Sequence, residues 1–290
     1  MKKEISLLGG DLRISKLARM LANDGYKVSV YCMEKSNEIA EDDRIIKCKN
    51  LEEAINGAEV IIGSIPFLKD TSEMYVTFSD KHINLHDLTR NSNKDKIFIA
   101  GSITEVARQE LLNSYGQVID LMKREELVVL NTIATAEGAI EVAINNTDKI
   151  LHGSKVLVLG FGRVGKVVAR KFSDLSAKVT CAARKPSDLA WIMTFGYNVI
   201  NINNLKENLA EYDIIINTVP QIILKEEELS CAKKDVLLID LASSPGGIDR
   251  DVAKKLNLKI VWALALPGKV APVTSAEFIK QTIYNILDEL

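Results

Sequence analysis

The chain has 290 residues, enough for two domains of ordinary size with a core in each. Its 37 Lys+Arg against 39 Asp+Glu give a formal net charge of -2, and the basic residues are dispersed, which argues against a nucleic-acid or anionic-membrane surface. The opening Met1-Lys-Lys-Glu-Ile-Ser-Leu-Leu-Gly-Gly10 has too short an apolar run for a signal peptide, and no segment reaches the uninterrupted apolar length of a membrane span. Cys32, Cys48, Cys181 and Cys231 lack C-x-x-C spacing, so buried reduced thiols of a cytosolic protein are expected, without disulfides or a metal site.

Short apolar runs alternate with helical patterns along the whole chain, which predicts an α/β fold with doubly wound parallel sheets. The first strand enters Gly9-Gly10-Asp11-Leu12-Arg13, a glycine turn opening a helix. The turn lacks a third glycine and carries Asp11 where an anion would sit, which argues against a dinucleotide there. Two readings of it stand open: Asp11 caps the helix, or Arg13 holds a substrate carboxylate. Strands follow at Lys27-Val-Ser-Val and Lys96-Ile-Phe-Ile-Ala-Gly-Ser102, and between them runs Asn50-Leu-Glu-Glu-Ala-Ile-Asn-Gly-Ala-Glu-Val-Ile-Ile-Gly-Ser-Ile-Pro66. Glu125 to about Thr147 reads as a long connecting helix rich in Ala, Glu, Ile and Val.

After that helix comes the most informative stretch, Lys155-Val-Leu-Val-Leu-Gly160-Phe161-Gly162-Arg163-Val164-Gly165. A strand runs into glycines that permit a tight turn, close approach of backbone N–H groups to a pyrophosphate, and close packing of the next helix. The setting inside a βαβ unit makes this a dinucleotide loop rather than a bare glycine pattern. The next strand, from Lys178, ends in Ala182-Ala183-Arg184-Lys185-Pro186-Ser187, where NAD-binding units normally carry an acid. Without that acid, and with a guanidinium able to grip a 2′-phosphate, NADP is expected as the cofactor.

Further strands are predicted at Asp213–Asn217, Val236–Asp240 and Lys259–Ala263, with helices beginning near Gly165, Pro186, Leu205, Glu226 and Asp249. Asn204-Leu-Lys-Glu-Asn-Leu-Ala-Glu-Tyr-Asp-Ile-Ile-Ile-Asn-Thr-Val-Pro220 matches the Asn50–Pro66 stretch, so the second half repeats the plan of the first. Two Rossmann-like domains follow, expected at 1–130 and 151–272 and joined by the connecting helix of 131–150. A last helix over 273–290 is expected to pack back on the first domain.

Ligands of open α/β sheets gather at the carboxyl ends of the strands. Thr218, Val219 and Pro220 should flank the adenosine side, and Ser243, Ser244, Leu266, Pro267 and Lys269 the nicotinamide. Acid–base groups are sparse. His82 and His86 sit in strand or loop sequence with no acidic cluster to complete a metal site, and His152 precedes the cofactor strand at the end away from ligands. Chemistry carried by a nicotinamide, with the protein orienting the substrate, is the expectation.

Gly9-Gly-Asp-x-Arg13, Thr135-Ala-Glu-Gly-Ala139, the His152–Gly165 stretch, Asn217-Thr-Val-Pro220, Ile239-Asp-Leu-Ala-Ser-Ser-Pro-Gly-Gly247 and Leu266-Pro-Gly-Lys-Val-Ala-Pro272 together resemble the A subunits of bacterial dipicolinate synthases. The resemblance covers essentially the whole chain. It implies NADP-linked oxidation of a dihydrodipicolinate-type precursor to pyridine-2,6-dicarboxylate in the cytoplasm of a sporulating mother cell. The implied partner is a flavoprotein-like B subunit, with a homo-oligomer as one possible assembly. Carboxylate contacts are then expected from Arg13, Ser64, Thr135, Ser243, Ser244 and Lys269, and Glu137 is the nearest proton acceptor. A second resemblance, of Leu266-Pro-Gly-Lys-Val-Ala-Pro-Val-Thr274 to the nicotinamide-side loop of methylenetetrahydrofolate dehydrogenases, lacks the Tyr-then-Lys helical pair of those enzymes. A dinucleotide-loaded scaffold without chemistry of its own is the third reading.

Overall fold

Each half of the chain folds its short apolar strands into one six-stranded, all-parallel sheet in the computed structural model, which describes residues 3–40, 42–90 and 93–290. The first half runs β1 (Glu4–Leu8), α1 (Leu12–Asn23), β2 (Lys27–Tyr31), α2 (Asn37–Ala40), β3 (Ile45–Lys47), α3 (Leu51–Asn56), β4 (Val60–Ile62), α4 (Leu85–Arg90), β5 (Ile97–Ala100), α5 (Glu105–Ser114) and β6 (Gln117–Asp120). Its strand order is β3-β2-β1-β4-β5-β6. The long α6 (Glu125–Asn146) leads into β7 (Lys155–Leu159), α7 (Arg163–Asp174), β8 (Lys178–Ala183), α8 (Pro186–Thr194), β9 (Asn198–Asn201), β10 (Ile214–Asn217), α9 (Glu226–Leu229), β11 (Leu237–Asp240), α10 (Arg250–Lys255), β12 (Lys259–Trp262), α11 (Leu266–Val270) and α12 (Pro272–Asp288). The second sheet has the equivalent order, β12-β11-β10-β7-β8-β9. Both are doubly wound, with the switch point beside the first strand of each half.

The chain divides into two compact units, Met1–Leu130 with Ala271–Leu290, and Asn131–Val270. In the first, α12 lies against α1: Ala276, Ile279, Ile283 and Ile286, spaced three and four apart, share a core with Ile14, Leu17, Ala18 and Leu21. Lys280 Nζ and Tyr284 OH both donate to Asp24 Oδ2, at 2.7 and 2.5 Å, and fix the end of α1 to this helix. α6 serves both cores, giving Leu127 to the first and Ala136, Ala139 and Ala143 to the second.

The second sheet is tied at its N-terminal edge by Asp213. Its carboxylate accepts from Lys155 N–H at 2.9 Å, Lys149 Nζ at 3.2 Å and Lys233 Nζ at 3.0 Å. Burial alone would raise its pKa, but these three donors outweigh burial and hold it at about 2.

Four differences from the sequence expectations have local causes. Strands β3, β6 and β9 are short edge or near-edge pieces whose few apolar residues give no clear period. The helix expected near Leu205 is instead a pair of 3-10 segments, Ile202–Glu207 and Leu209–Glu211, with Asn204 outside helical backbone geometry. α7 begins at Arg163, so Gly165 lies inside its first turn. Finally, α6 is long and apolar enough by length and composition to cross a membrane, where no such segment is expected from sequence. Its buried face is spent on the two cores just described.

Candidate active site

The glycine turn of the second unit divides its work among three positions. Gly160 sits at φ +93°, a left-handed conformation that glycine adopts without strain, and a Cβ there would meet Thr218 Oγ1 at 2.6 Å. A Cβ on Gly165 would meet the carbonyl oxygen of Gly160 at 2.2 Å, so only glycine lets α7 pack this close to its strand. Gly162 differs from both: a Cβ there meets nothing within 4 Å. It caps the 12-residue α7 without any side-chain hydrogen bond. Bare backbone at a helix N-terminus, with open space before it, is a cradle for a pyrophosphate. A dinucleotide fits this donor set.

Around the turn, Phe161 is buried against Phe195 and Tyr197, so it contributes packing beside the loop. Arg163 and Val164 form the first turn of α7. Thr218 Oγ1 donates to Leu159 O at 2.8 Å, which holds the Thr218-Val219-Pro220 loop against the end of β7. Beyond β8, Arg184, Lys185 and Ser187 are exposed, and neither cation has an ion-pair partner among the described residues.

Two residues with no role expected from sequence organise the rest of this edge. Asp240 ends β11, is fully buried, and accepts from Asn217 Nδ2 (2.7 Å), Ala242 N–H (3.1 Å), Gly247 N–H (2.8 Å) and Ile248 N–H (3.2 Å). Asn217, also fully buried, closes the Val219 loop through both ends of its amide. A Cβ on Gly246 would meet Asp240 Oδ2 at 2.6 Å and one on Gly247 would meet Asn217 Nδ2 at 2.2 Å, which explains the paired glycines. A buried carboxylate is tolerable only with such a full set of donors. Its sequence signal is a polar residue closing an otherwise apolar strand.

Other expected contacts divide into two groups. Ser243, Ser244 and Lys269 lie in or just after loops at the carboxyl edge, all exposed and with no side-chain partner among the described residues. Leu266 is core and packs on Gly138, and Pro267 follows it in α11.

The second group forms hydrogen bonds or ion pairs within the chain itself. Glu137 is exposed and forms a solvated ion pair with Lys171 Nζ at 2.8 Å on the last turn of α7. Thr135 Oγ1 donates back to Asn131 O at 2.8 Å. Ser64 is fully buried and donates to Phe67 O at 2.8 Å. Arg13 is buried, holds the Asp11 carboxylate through Nε and Nη2, and donates to Ile65 O at 2.6 Å, while Asp11 caps Arg13 N–H at 3.0 Å. Of the two readings of that turn, capping is the one formed. Among the described residues no cluster of three or more His, Cys, Asp or Glu side chains suits a metal, and His82 instead pairs with Glu73.

Comparison with known proteins agrees with this geometry. Residues 4–122 match the family model of the N-terminal domain of the dipicolinate synthase A subunit, and residues 116–266 match "D-isomer specific 2-hydroxyacid dehydrogenase, NAD binding domain". The chain is 31% identical over 290 residues to the A subunit of dipicolinate synthase from Bacillus subtilis, covering 99% of this chain and 96% of that protein. The crystal structure of the dipicolinate synthase A subunit from Bacillus halodurans superposes with a TM-score of 0.89 at 30% identity, over 98% of this chain and 97% of that one. A transhydrogenase from Sinorhizobium meliloti shares the fold at 16% identity, with a TM-score of 0.69 over 99% of this chain and 94% of that one. With this identity sustained over nearly the full length of both chains, the protein belongs to the family of dipicolinate synthase A subunits.

Proposed function

We propose that this protein oxidises a dihydrodipicolinate-type precursor to pyridine-2,6-dicarboxylate with NADP as hydride acceptor. Membership of the family and a dinucleotide-binding domain of dehydrogenase type support an oxidoreductase acting in dipicolinate synthesis. The observation that carries the finer reading is the pairing of the open Gly162 cradle with Arg184 and Lys185 at the end of β8, two unpaired cations where a ribose-binding acid is usual.

When bound, the nicotinamide supplies the hydride acceptor. The chain's own residues bind and orient. The backbone at Gly162 and the α7 N-terminus hold the pyrophosphate, Arg184 and Lys185 hold the 2′-phosphate, and the Asn217–Asp240 pair fixes the two loops beside them. Lys269, Ser243 and Ser244 contact the carboxylates of the substrate, which their accessible, unpartnered state supports. The substrate loses one hydride and one proton. Aromatisation drives the step and the proton leaves to water, since Glu137 is held by Lys171. The first unit serves substrate and partner binding, the partner is a flavoprotein-like second subunit, and the setting is the cytoplasm of a sporulating mother cell.

The test mixes the purified protein with NADP and freshly made dihydrodipicolinate. Pyridine absorbance and NADPH rising together, with no second subunit present, are expected. Turnover only once a second subunit is supplied supports the scaffold reading instead, and a preference for NAD overturns the cofactor assignment.

A further inference from the structure

The two sheets end in twin edge strands that the sequence treats in opposite ways. β3 closes the first sheet beside β2, and β9 closes the second beside β8. Strand registers fix the equivalence. Leu7 and Val158, each two residues before its glycine turn, pair with Val30 and Cys181, and these pair with Lys47 and Val199. Val199 therefore holds the place of Lys47. Natural sheets keep a free edge from pairing with other chains by placing charges on it. Arg44, Lys47 and Lys49 do so for β3. From Leu189 to Leu205, through most of α8, all of β9 and the turn between them, no residue carries a charge, although charged residues make up 26% of the chain.

The uncharged stretch is also bare. Trp191, Met193, Phe195 and Val199 are all exposed, the first three by more than half. Trp191 stacks on Phe195 with ring centroids 5.6 Å apart, and Phe195 meets Tyr197 at 6.4 Å. Tyr197 leads into β9 two residues before Val199, on the same face of the sheet. The rings rest on the buried Phe161, whose centroid lies 6.0 Å from that of Phe195. A half-exposed aromatic side chain leaves on the order of 100 Å² open, so the patch presents roughly 400 Å² of apolar surface, a size that marks interaction sites on monomers. A stable dimer takes roughly 800 Å² from each copy, more than half of it apolar, and the patch supplies the greater part of that apolar share.

Charge selects the occupant. A two-fold axis sets a surface against its own copy, so a charged patch repels itself and a neutral apolar one does not. Two edge strands related by a two-fold axis normal to the sheet also run antiparallel, an arrangement in which free backbone groups pair. We propose that the α8–β9 surface of the second unit is the interface of a two-fold homodimer, with Trp191 and Phe195 at its centre and the two β9 edges side by side. Lys47 keeps the twin edge of the first unit from doing the same.

Light scattering of the full chain at micromolar concentration should give twice the 32.1 kDa of one chain. Val199→Lys, which copies the edge of the first unit, should raise the dimer dissociation constant roughly a hundredfold by burying unpaired like charges, and Trp191→Glu should do so too. Val199 is exposed, so the lysine variant keeps its fold, which an unchanged circular-dichroism spectrum checks. Val106→Lys, on an exposed apolar residue of α5 in the first unit, should leave the dimer intact. A monomeric wild type overturns the proposal and leaves the surface to a partner of another kind. A dimer unmoved by Val199→Lys, or one that Val106→Lys dissociates as readily, overturns it as well. Val199→Lys decides the matter should Trp191→Glu fail to fold.

Discussion

The two units open with the same device, a strand entering a glycine turn and a helix, and they differ in what lies over it. In the second unit Gly162 faces open space. In the first, the segment between β4 and α4 forms a roof: Gly10 N–H donates to Tyr75 O at 2.9 Å, Thr77 N–H donates to Gly10 O at 3.2 Å, and a Cβ on Gly9 would strike Val76 and Met74 within 3 Å. The anion position is also filled from within, because Asp11 caps α1 and Arg13 neutralises it. Glycine spacing thus grants the turn, and whether the turn serves a ligand is decided by a distant segment and by one acidic side chain.

The largest expected effect is at Gly165. Gly165→Ala forces a Cβ onto the Gly160 carbonyl, where neither backbone can yield, and should destabilise the second unit by about 3 kcal/mol in urea denaturation while abolishing dinucleotide binding. Asp213→Asn comes next. The Asp213 carboxyl sits at about 2 in the folded chain, below its ordinary value, so its stabilisation is full above about pH 4 and fades as pH falls through 2. The variant should lose about 2 kcal/mol at pH 7, and its deficit against wild type should shrink in acid. Glu59 holds the same place in the first unit with no ion pair among the described residues, so Glu59→Gln should change stability by less than about 0.5 kcal/mol.

Two smaller effects sharpen the contrast at the ligand. Arg184→Ala should weaken NADP about tenfold and leave NAD unchanged, a difference read by fluorescence titration with both cofactors. Gly10→Ala, at φ +89° and with its new Cβ within 3 Å of the buried Ile14 side chain, should cost about 2 kcal/mol of stability and leave dinucleotide affinity alone. A loss of NADP binding in that variant would break the comparison.

What sequence made legible here was local. The Gly160–Gly165 turn, the cations after β8, the long α6 and the last helix each depend on neighbours a few residues away, and the structure has them in those places. The repeat was equally readable, because strand, turn and helix recur at matched spacing. Illegible were the partners that polar side chains take, near or far along the chain. Ser64 and Thr135 look like free hydroxyls in a strand-end loop and a helix, yet each donates to a carbonyl three or four residues away. Glu137 looks like a base until Lys171, 34 residues on, reaches it. Asp240 stands out in sequence only as a polar residue closing an apolar strand, not as the point where four donors, from β10 and the loop after β11, converge. Nothing in Gly9-Gly10 announces a roof from Tyr75 to Thr77.

One open turn stands against one closed twin, and counting bound cofactor tests that contrast most directly. Calorimetric titration of the full chain with NADP should give a single site per chain, tighter than for NAD. That site should weaken about tenfold or more in Gly162→Ala, a variant that folds as the wild type does because its methyl enters empty space. Two sites per chain, or one site indifferent to Gly162→Ala and lost in Gly10→Ala, would contradict it.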